Sequence, residues 1–167
     1  MRLTPFLAIR YFDKYDVTPR FAFGHGLSYT SFDYSSAAAT ITNATALASA
    51  YPTGGLAVGG KSDLWEEILN VNVTITNSGS VDGNEVAQLY VTFPDEADAP
   101  IRSLRGFERV LIATGASTTV DFALRRRDLS HWDVAAQDWK IATGDYTFSV
   151  GASSRDLRAN VTMTLGA

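Results

Sequence analysis

The chain has 167 residues, of which 46% are hydrophobic and 19% charged, and its formal net charge at pH 7 is −4. This composition is typical of a globular chain, and the length suits one domain whose core needs no metal or disulfide. The absence of cysteine excludes disulfides, thiolate metal sites and cysteine nucleophiles, and the acidic balance gives no electrostatic basis for nucleic-acid binding. With only two histidines, we predict no metal site and no cofactor.

Residues 1–27 are rich in aromatic and basic residues but show no clean alternation of apolar and polar positions. Their apolar start is similar to a signal peptide, but Pro5 breaks the run and no cleavage site of small residues follows, so we reject that interpretation. We expect this segment to precede the folded domain, which we place at 28–167. No stretch approaches the roughly 18 apolar residues that a membrane-spanning helix needs, and no membrane partner is predicted.

Alternation of apolar and polar residues with a period of two dominates the rest of the chain and predicts β-strands. The regular strands lie at 69–75, 85–93, 118–124, 146–150 and 161–165, and less regular ones at 28–38 and 102–112. About seven short strands and no convincing helix predict an all-β fold, an antiparallel sandwich of the immunoglobulin or fibronectin type III type. Tyr146 follows Gly144-Asp145, a position that suits a tyrosine corner and an ordinary core tyrosine equally.

The glycine-rich segment 44–62 contains a run at 55–62 that satisfies the phosphate-binding P-loop pattern. Such a site needs a buried strand before the glycines and a helix after them, so that backbone N–H groups meet the phosphates. Neither element is predicted here. We therefore favour a long loop that is either functional or mobile, and we expect Lys61 to matter little for stability.

The remaining polar and aromatic groups give no specific catalytic pattern. His25 lies between two glycines and is interpreted as a turn residue. The paired carboxylates lie in turns and are interpreted as solvated surface groups. Trp65, Trp132 and Trp139 suit buried sandwich positions and exposed sugar-stacking positions equally. We predict no catalytic residue.

Three sequons for N-glycosylation occur, at Asn43, Asn72 and Asn160. Asn72 and Asn160 fall on the polar phase of their strands, whereas Asn43 follows a strand end near a loop. We expect all three to be accessible, Asn43 most readily. These sequons favour a secreted, extracellular glycoprotein whose signal peptide lies upstream of this chain.

Several stretches, taken in order, resemble one known family: 23–32, 73–79, 83–91, 104–110, 127–133 and 144–156. They are similar to the C-terminal fibronectin type III-like domain of glycoside hydrolase family 3, and most similar to that of fungal extracellular β-glucosidases. The resemblance covers about residues 10–165, whereas residues 1–8 depart from it.

The resemblance implies that catalysis belongs to other domains: a (β/α)₈ barrel with the nucleophilic aspartate and an α/β domain with the acid/base glutamate. The run 62–65 has one residue more than the family's Ser-Asp-Trp context, so no catalytic residue carries over. The resemblance further implies that residues 10–27 are a linker from the α/β domain, and that four aromatic residues meet this domain: Tyr11, Phe12, Phe21 and Phe23. We expect a non-catalytic accessory domain that packs against the catalytic domains in cis and stabilises them.

Two other functions stay open on the sequence alone. One is a stand-alone module that binds polysaccharide or lignin through exposed aromatic side chains, and the other is a vestigial fragment. An accessory domain should present an exposed apolar patch along residues 6–27 and should self-associate, whereas a binding module should fold this segment onto its own sandwich. In each case we expect no glycosidase activity from this chain alone.

Overall fold

The computed structural model describes residues 9–166. One short α-helix, α1 (Ile9–Lys14), precedes the strands β1 (Phe32–Ile41), β2 (Leu56–Ala57), β3 (Gly60–Lys61), β4 (Glu67–Asn77), β5 (Gly83–Thr92), β6 (Ser103–Ile112), β7 (Ser117–Arg125), β8 (Ser130–Asp133), β9 (Asp138–Ile141), β10 (Gly144–Ser153) and β11 (Asp156–Leu165). Short 3-10 turns cover Thr45–Leu47, Ser62–Trp65, Asp95–Ala97 and Arg126–Leu129. No helix within the described range is long and apolar enough to cross a membrane.

Two antiparallel sheets form the body of the domain. The first has the strand order β1-β4-β7 and the second the order β11-β10-β5-β6. The buried core lies between them and takes alternate residues from each strand, such as Val71 and Val73 of β4 and Leu89 and Val91 of β5. These are the positions whose alternation predicted the strands, and the predicted sandwich is confirmed.

The first strand begins at Phe32, four residues later than the strand predicted at 28–38. The chain before it lies beside the end of β4, where the Thr30 hydroxyl donates to Asn77 Oδ1 at 2.7 Å. This side-chain contact replaces the ladder hydrogen bonds that a longer strand would make.

Tyr146 forms a tyrosine corner, which decides between the two interpretations of its position. Its ring is fully buried beside Phe93. The hydroxyl donates to Leu129 O at 3.1 Å and accepts from the Ala142 N–H at 3.0 Å. Because burial disfavours the phenolate, the pKa of Tyr146 is raised. The corner ties β10 to the chain that leads into it.

The segment predicted as a long loop is largely irregular, as expected, but it is anchored to the rest of the domain. It contains the β2–β3 hairpin and is held by Lys61, whose ammonium group donates to Asp138 Oδ2 at 2.6 Å and to Pro52 O at 2.9 Å. Lys61 is therefore attached to its surroundings, whereas the sequence had suggested an unattached loop side chain. Asp138 lies in a second hairpin, β8–β9, whose two four-residue strands are too short for alternation to reveal.

Candidate domain interface

The chain before β1, residues 9–31, here called the N-terminal segment, is attached to the sandwich through a buried carboxylate. Asp13 forms ion pairs with Arg102 (Nε–Oδ2, 3.3 Å) and Arg155 (Nη2–Oδ1, 3.1 Å), and its side chain is only 7% exposed. Arg155 also donates to Val17 O at 3.0 Å. Arg102 immediately precedes β6 and Arg155 lies in the turn between β10 and β11, so Asp13 links α1 to two separate parts of the four-stranded sheet.

A second attachment involves the outer face of β5. Gln88 Nε2 donates to Gly24 O at 3.0 Å and to Ala152 O at 2.7 Å, while the Tyr90 hydroxyl donates to Gln88 Oε1 at 2.7 Å. Both Gln88 and Tyr90 point away from the core and are nevertheless buried, because the N-terminal segment covers them. Burial raises the pKa of Tyr90 to about 12, although the charge of Arg102 acts in the opposite direction.

The opposite side of the N-terminal segment is apolar and exposed. Tyr11, Phe21 and Phe23 are all exposed, Phe21 to 68%, whereas Phe12 is half-buried. Leu27 is 95% exposed. The exposed apolar patch predicted for residues 6–27 is therefore present at 11–27, and Phe6 lies outside the described residues.

This patch continues onto the sandwich. A groove of about 380 Å³ lies between the N-terminal segment and the outer faces of β5 and β6. Its apolar walls are here called the apolar face: Phe23, Leu27, Val86, Leu104 and Phe107. Phe107 is 65% exposed although it pairs with the buried Gln88. The sequence did not point to Val86 and Phe107, because an apolar residue in a strand is expected to face the core; the available signal was that Val86 lies on the phase opposite to Ala87 and Leu89.

Comparison with known proteins assigns the fold to a family. A family model described as a fibronectin type III-like domain matches residues 85–154. This chain carries, at residues 85–154, a match to a fibronectin type III-like domain. It is 58% identical over 160 residues to the Aspergillus niger protein named "Probable beta-glucosidase D", and the match covers 96% of this chain and 21% of that protein.

Solved structures agree with this assignment. The domain superimposes on a beta-D-glucoside glucohydrolase from Trichoderma reesei with a TM-score of 0.87 and 46% identity, covering 93% of this chain and 21% of that one. It also matches a GH3 beta-glucosidase from Bifidobacterium adolescentis with a TM-score of 0.75 and 32% identity, covering 96% of this chain and 21% of that one. The predicted resemblance to family 3 β-glucosidases is confirmed, and the chain spans about a fifth of the length of the proteins it matches.

The three sequons of the fibronectin type III-like domain differ in exposure. Asn160 is exposed on β11, and Asn72 is half-buried on the outward phase of β4 between the buried Val71 and Val73. Asn43 is half-buried because its side chain bonds to its neighbours: Oδ1 accepts from the Ala46 N–H at 3.1 Å and Nδ2 donates to a glutamate at 3.4 Å. The expectation that Asn43 would be the most accessible is therefore wrong, and Asn160 takes that place.

Among the described residues, the other candidate groups do not assemble into a catalytic or phosphate site. The glycine run 55–62 forms the β2–β3 hairpin and leads into a four-residue 3-10 turn, not into the helix that a phosphate cradle needs. Trp132 packs edge-on against Trp139 with ring centroids 5.2 Å apart, and Arg127 lies over the Trp139 ring. Within residues 9–166, no group of three or more histidine or acidic side chains is placed to hold a metal ion.

Proposed function

We propose that this fibronectin type III-like domain is a non-catalytic accessory domain of a secreted family 3 β-glucosidase, and that it packs against the catalytic domains and stabilises them. The curated relatives are β-glucosidases of which this chain matches about a fifth, so such a domain has most of an enzyme as its neighbour. The observation that carries the proposal is the orientation of the N-terminal segment.

In that segment, polar groups face the sandwich and apolar side chains face solvent, which is the reverse of an ordinary surface segment. The buried side holds the charged Asp13 and the polar contacts to Gln88, while the outer side presents Tyr11, Phe21 and Leu27 to solvent. Covering an apolar side chain of this size contributes about 1.5–3 kcal/mol. Two or three such residues at the centre of an interface would give it a strong anchor, since aromatic residues dominate interface energetics.

Co-expression tests the proposal directly. The Aspergillus niger relative would be produced without its matching region, with and without this domain supplied as a separate chain. We expect the domain to co-purify with the catalytic portion and to raise its soluble yield, its melting temperature and its hydrolysis of an aryl β-glucoside. A catalytic portion that is equally soluble, stable and active without the domain, and that does not bind it, would contradict the proposal.

We also propose that the domain is secreted and glycosylated at Asn160, Asn72 and Asn43, in that order of occupancy. The order follows from the exposure of Asn160 and the hydrogen bonds that engage Asn43. Production in a filamentous fungus behind a secretion signal, followed by peptide mass spectrometry before and after removal of N-glycans, measures the occupancy at each sequon. Unmodified Asn160 in secreted protein would contradict this order.

Polysaccharide binding is a second candidate, favoured by the partial exposure of Trp65 and Trp132. Stacking on sugar rings uses flat, exposed aromatic faces, whereas Trp132 meets Trp139 edge-on. Retention of the domain on insoluble cellulose or xylan, lost in Trp132→Ala but not in Phe21→Ala, would favour this function over the accessory role.

A further inference from the structure

A polar pocket lies at some distance in sequence from the apolar face and shares no lining residue with it. It has a volume of about 260 Å³, is open to solvent on one side, and is lined by residues from the segment 43–54, from the 3-10 turn Ser62–Trp65 and by Glu66 and Arg126. Nothing in the accessory role requires such a pocket.

Arg126 forms one wall of this pocket and is 99% buried, with a relative exposure of 1%. Its two terminal nitrogens donate to Ala46 O and Ser49 O, but its Nε has no hydrogen-bond partner among the described residues. Asp63 is in the complementary situation: Oδ2 accepts from the Thr53 N–H at 2.7 Å, while the buried Oδ1 has no partner. The wall of the pocket therefore contains, just beneath its surface, one charged donor and one charged acceptor without a partner among the described residues, which native proteins rarely leave without a reason.

The other walls are suited to a ring that is apolar on one face and polar at its edge. Tyr51 lines the pocket, and its hydroxyl is already engaged in donating to Asp133 Oδ2 at 2.6 Å, so the ring is fixed and offers an apolar surface. At the rim, the bond from Asn43 Nδ2 to Glu66 Oε2 is long, at 3.4 Å, and a ligand hydroxyl can replace it.

The charges of the pocket select the ligand class. Arg126 carries one positive charge against the negative charges of Asp63 and Glu66, so the net charge disfavours an anion. The guanidinium group disfavours a cation. A neutral ligand with adjacent hydroxyl groups can pair with groups of either charge, because each hydroxyl can donate to a carboxylate and accept from an N–H group. The pocket is smaller than the roughly 300–1,000 Å³ of sites for drug-sized ligands, which limits the ligand to about one ring.

We infer that this pocket, lined by Asn43, Tyr51, Asp63, Glu66 and Arg126, binds a single pyranose sugar. The ring has two possible sources with the same chemistry. It is either a free monosaccharide or the first sugar of an N-glycan on Asn43, since this sequon asparagine itself lines the pocket.

Glu66→Ala tests the inference, and the neighbouring Glu67→Ala is its matched control. Both side chains are exposed and carry the same charge, but only Glu66 lines the pocket. The backbone bond from the Arg126 N–H to Glu66 O, at 2.9 Å, does not depend on the side chain, so the variant should keep its fold. Circular dichroism and the melting temperature check this for both variants.

In the first arm, the chain is produced in bacteria, without glycans, and titrated with D-glucose and N-acetylglucosamine while its amide resonances are followed by NMR. We expect saturable shifts at the pocket residues, with affinity reduced about tenfold or more by Glu66→Ala and unchanged by Glu67→Ala. In the second arm, the chain is produced in a fungal host with Asn43 occupied. We expect the glycan to raise the melting temperature, and Glu66→Ala, but not Glu67→Ala, to reduce this gain.

A positive first arm assigns the pocket to a free sugar, and a positive second arm alone assigns it to the Asn43 glycan. Two results overturn the inference. One is a sugar effect, in either arm, that neither variant changes. The other is the absence of binding in the first arm together with no glycan-dependent rise of the melting temperature in the second. Neither result depends on the catalytic portion of an enzyme, so both are separate from the outcome of the co-expression experiment.

Discussion

Gln88 and Gly24 lie so close together that any side chain at position 24 would displace the Gln88 amide group. Gln88 Nε2 donates to Gly24 O at 3.0 Å, and a Cβ built on Gly24 would lie 2.0 Å from Gln88 Oε1. The backbone at Gly24 also has a φ of +78°, a conformation that strains other residues. The position of the N-terminal segment therefore depends on this contact.

Gly24→Ala should loosen the N-terminal segment from the sandwich. We expect a loss of about 1–2 kcal/mol in the free energy of unfolding, from the left-handed backbone conformation and the clash with Gln88. Urea unfolding and amide hydrogen exchange at residues 11–29 measure the effect. Gly26→Ala is the control, because its added Cβ meets no atom within 4 Å. Equal stability of the two variants would show that the close contact does not hold the segment.

Asp13→Asn should have a similar effect through a different bond. The substitution removes the charge that pairs with Arg102 and Arg155 in a largely buried setting. Since breaking a buried pair leaves charges without compensation, we expect a loss of about 1–3 kcal/mol in the free energy of unfolding and faster hydrogen exchange in α1. Asp16→Asn makes the same charge change at an exposed side chain and should have little effect.

Phe21→Glu should weaken association without unfolding the domain. Its ring is largely in solvent, so the expected change in the free energy of unfolding is under about 0.5 kcal/mol. Sedimentation velocity should show less self-association than for the unaltered chain, and binding to the catalytic portion should fall at least about tenfold. Leu56→Glu is the control, since it introduces the same charge at an exposed apolar residue of β2, outside the N-terminal segment. Equal losses in both variants would point to a non-specific effect of charge.

Lys61→Ala should destabilise the domain by about 1 kcal/mol at pH 7, since its half-buried ion pair with Asp138 and its bond to Pro52 O are lost. Burial raises the pKa of Asp138, but the hydrogen bonds from Lys61 and from the Trp139 N–H outweigh this and hold that pKa below its ordinary value. A carboxyl group whose pKa is lowered in the folded state stabilises the fold at pH values above its ordinary pKa of about 3.9. This stabilisation is lost as the pH falls through the pKa of the folded state.

The difference in stability between the unaltered chain and Lys61→Ala should therefore be constant at neutral pH and should shrink below about pH 4. Urea unfolding at a series of pH values measures it. A difference that stays the same down to pH 3, or no difference at pH 7, would contradict a stabilising ion pair. Isothermal titration with ATP should show no binding to either protein.

Tyr146→Phe should be strongly destabilising although it removes a single oxygen. The hydroxyl serves the Ala142 N–H and Leu129 O, both without access to water. Because the variant leaves these groups unpaired while keeping the ring, we expect a loss of about 1–3 kcal/mol. Tyr29→Phe, at a fully exposed tyrosine, should change the free energy of unfolding by less than about 0.5 kcal/mol.

The sandwich was predictable because its central strands alternate strictly. In β4, Val71, Val73 and Ile75 are all fully buried, so the side of the strand that faces the core can be identified from residue types alone. β8 and β9 were not predicted because a strand of four residues contains too few repeats of the apolar–polar alternation. The tyrosine corner was half-predictable: its sequence position was evident, but the hydrogen bonds of the hydroxyl depend on how the chain before β10 folds.

Long-range contacts explain most of what the sequence did not reveal. Lys61 and Asp138 are 77 residues apart, and Asp13 and Arg155 are 142 apart. Periodicity describes neighbours within one strand and has no information on such pairs. For the same reason, segment 44–62 was expected to be a loop, although Lys61 and Arg126 hold it in place. The exposure of Phe21 and Phe23 was expected from their position before the first strand, whereas Val86 and Phe107 belong to strands, where apolar residues usually face the core.

The burial of Tyr90 under the N-terminal segment bears on how this domain could be transplanted between enzymes. A cut at residue 28, where the strand pattern begins, would remove Gly24 and Asp13. It would expose Tyr90 and Gln88 to water and would leave Arg155 without its bonds to Asp13 and Val17 O. The unit that keeps its own surface intact begins at α1. A chimeric enzyme joined before α1 should therefore inherit a preformed docking surface, whereas one joined at residue 28 would have to rebuild that surface from a foreign linker.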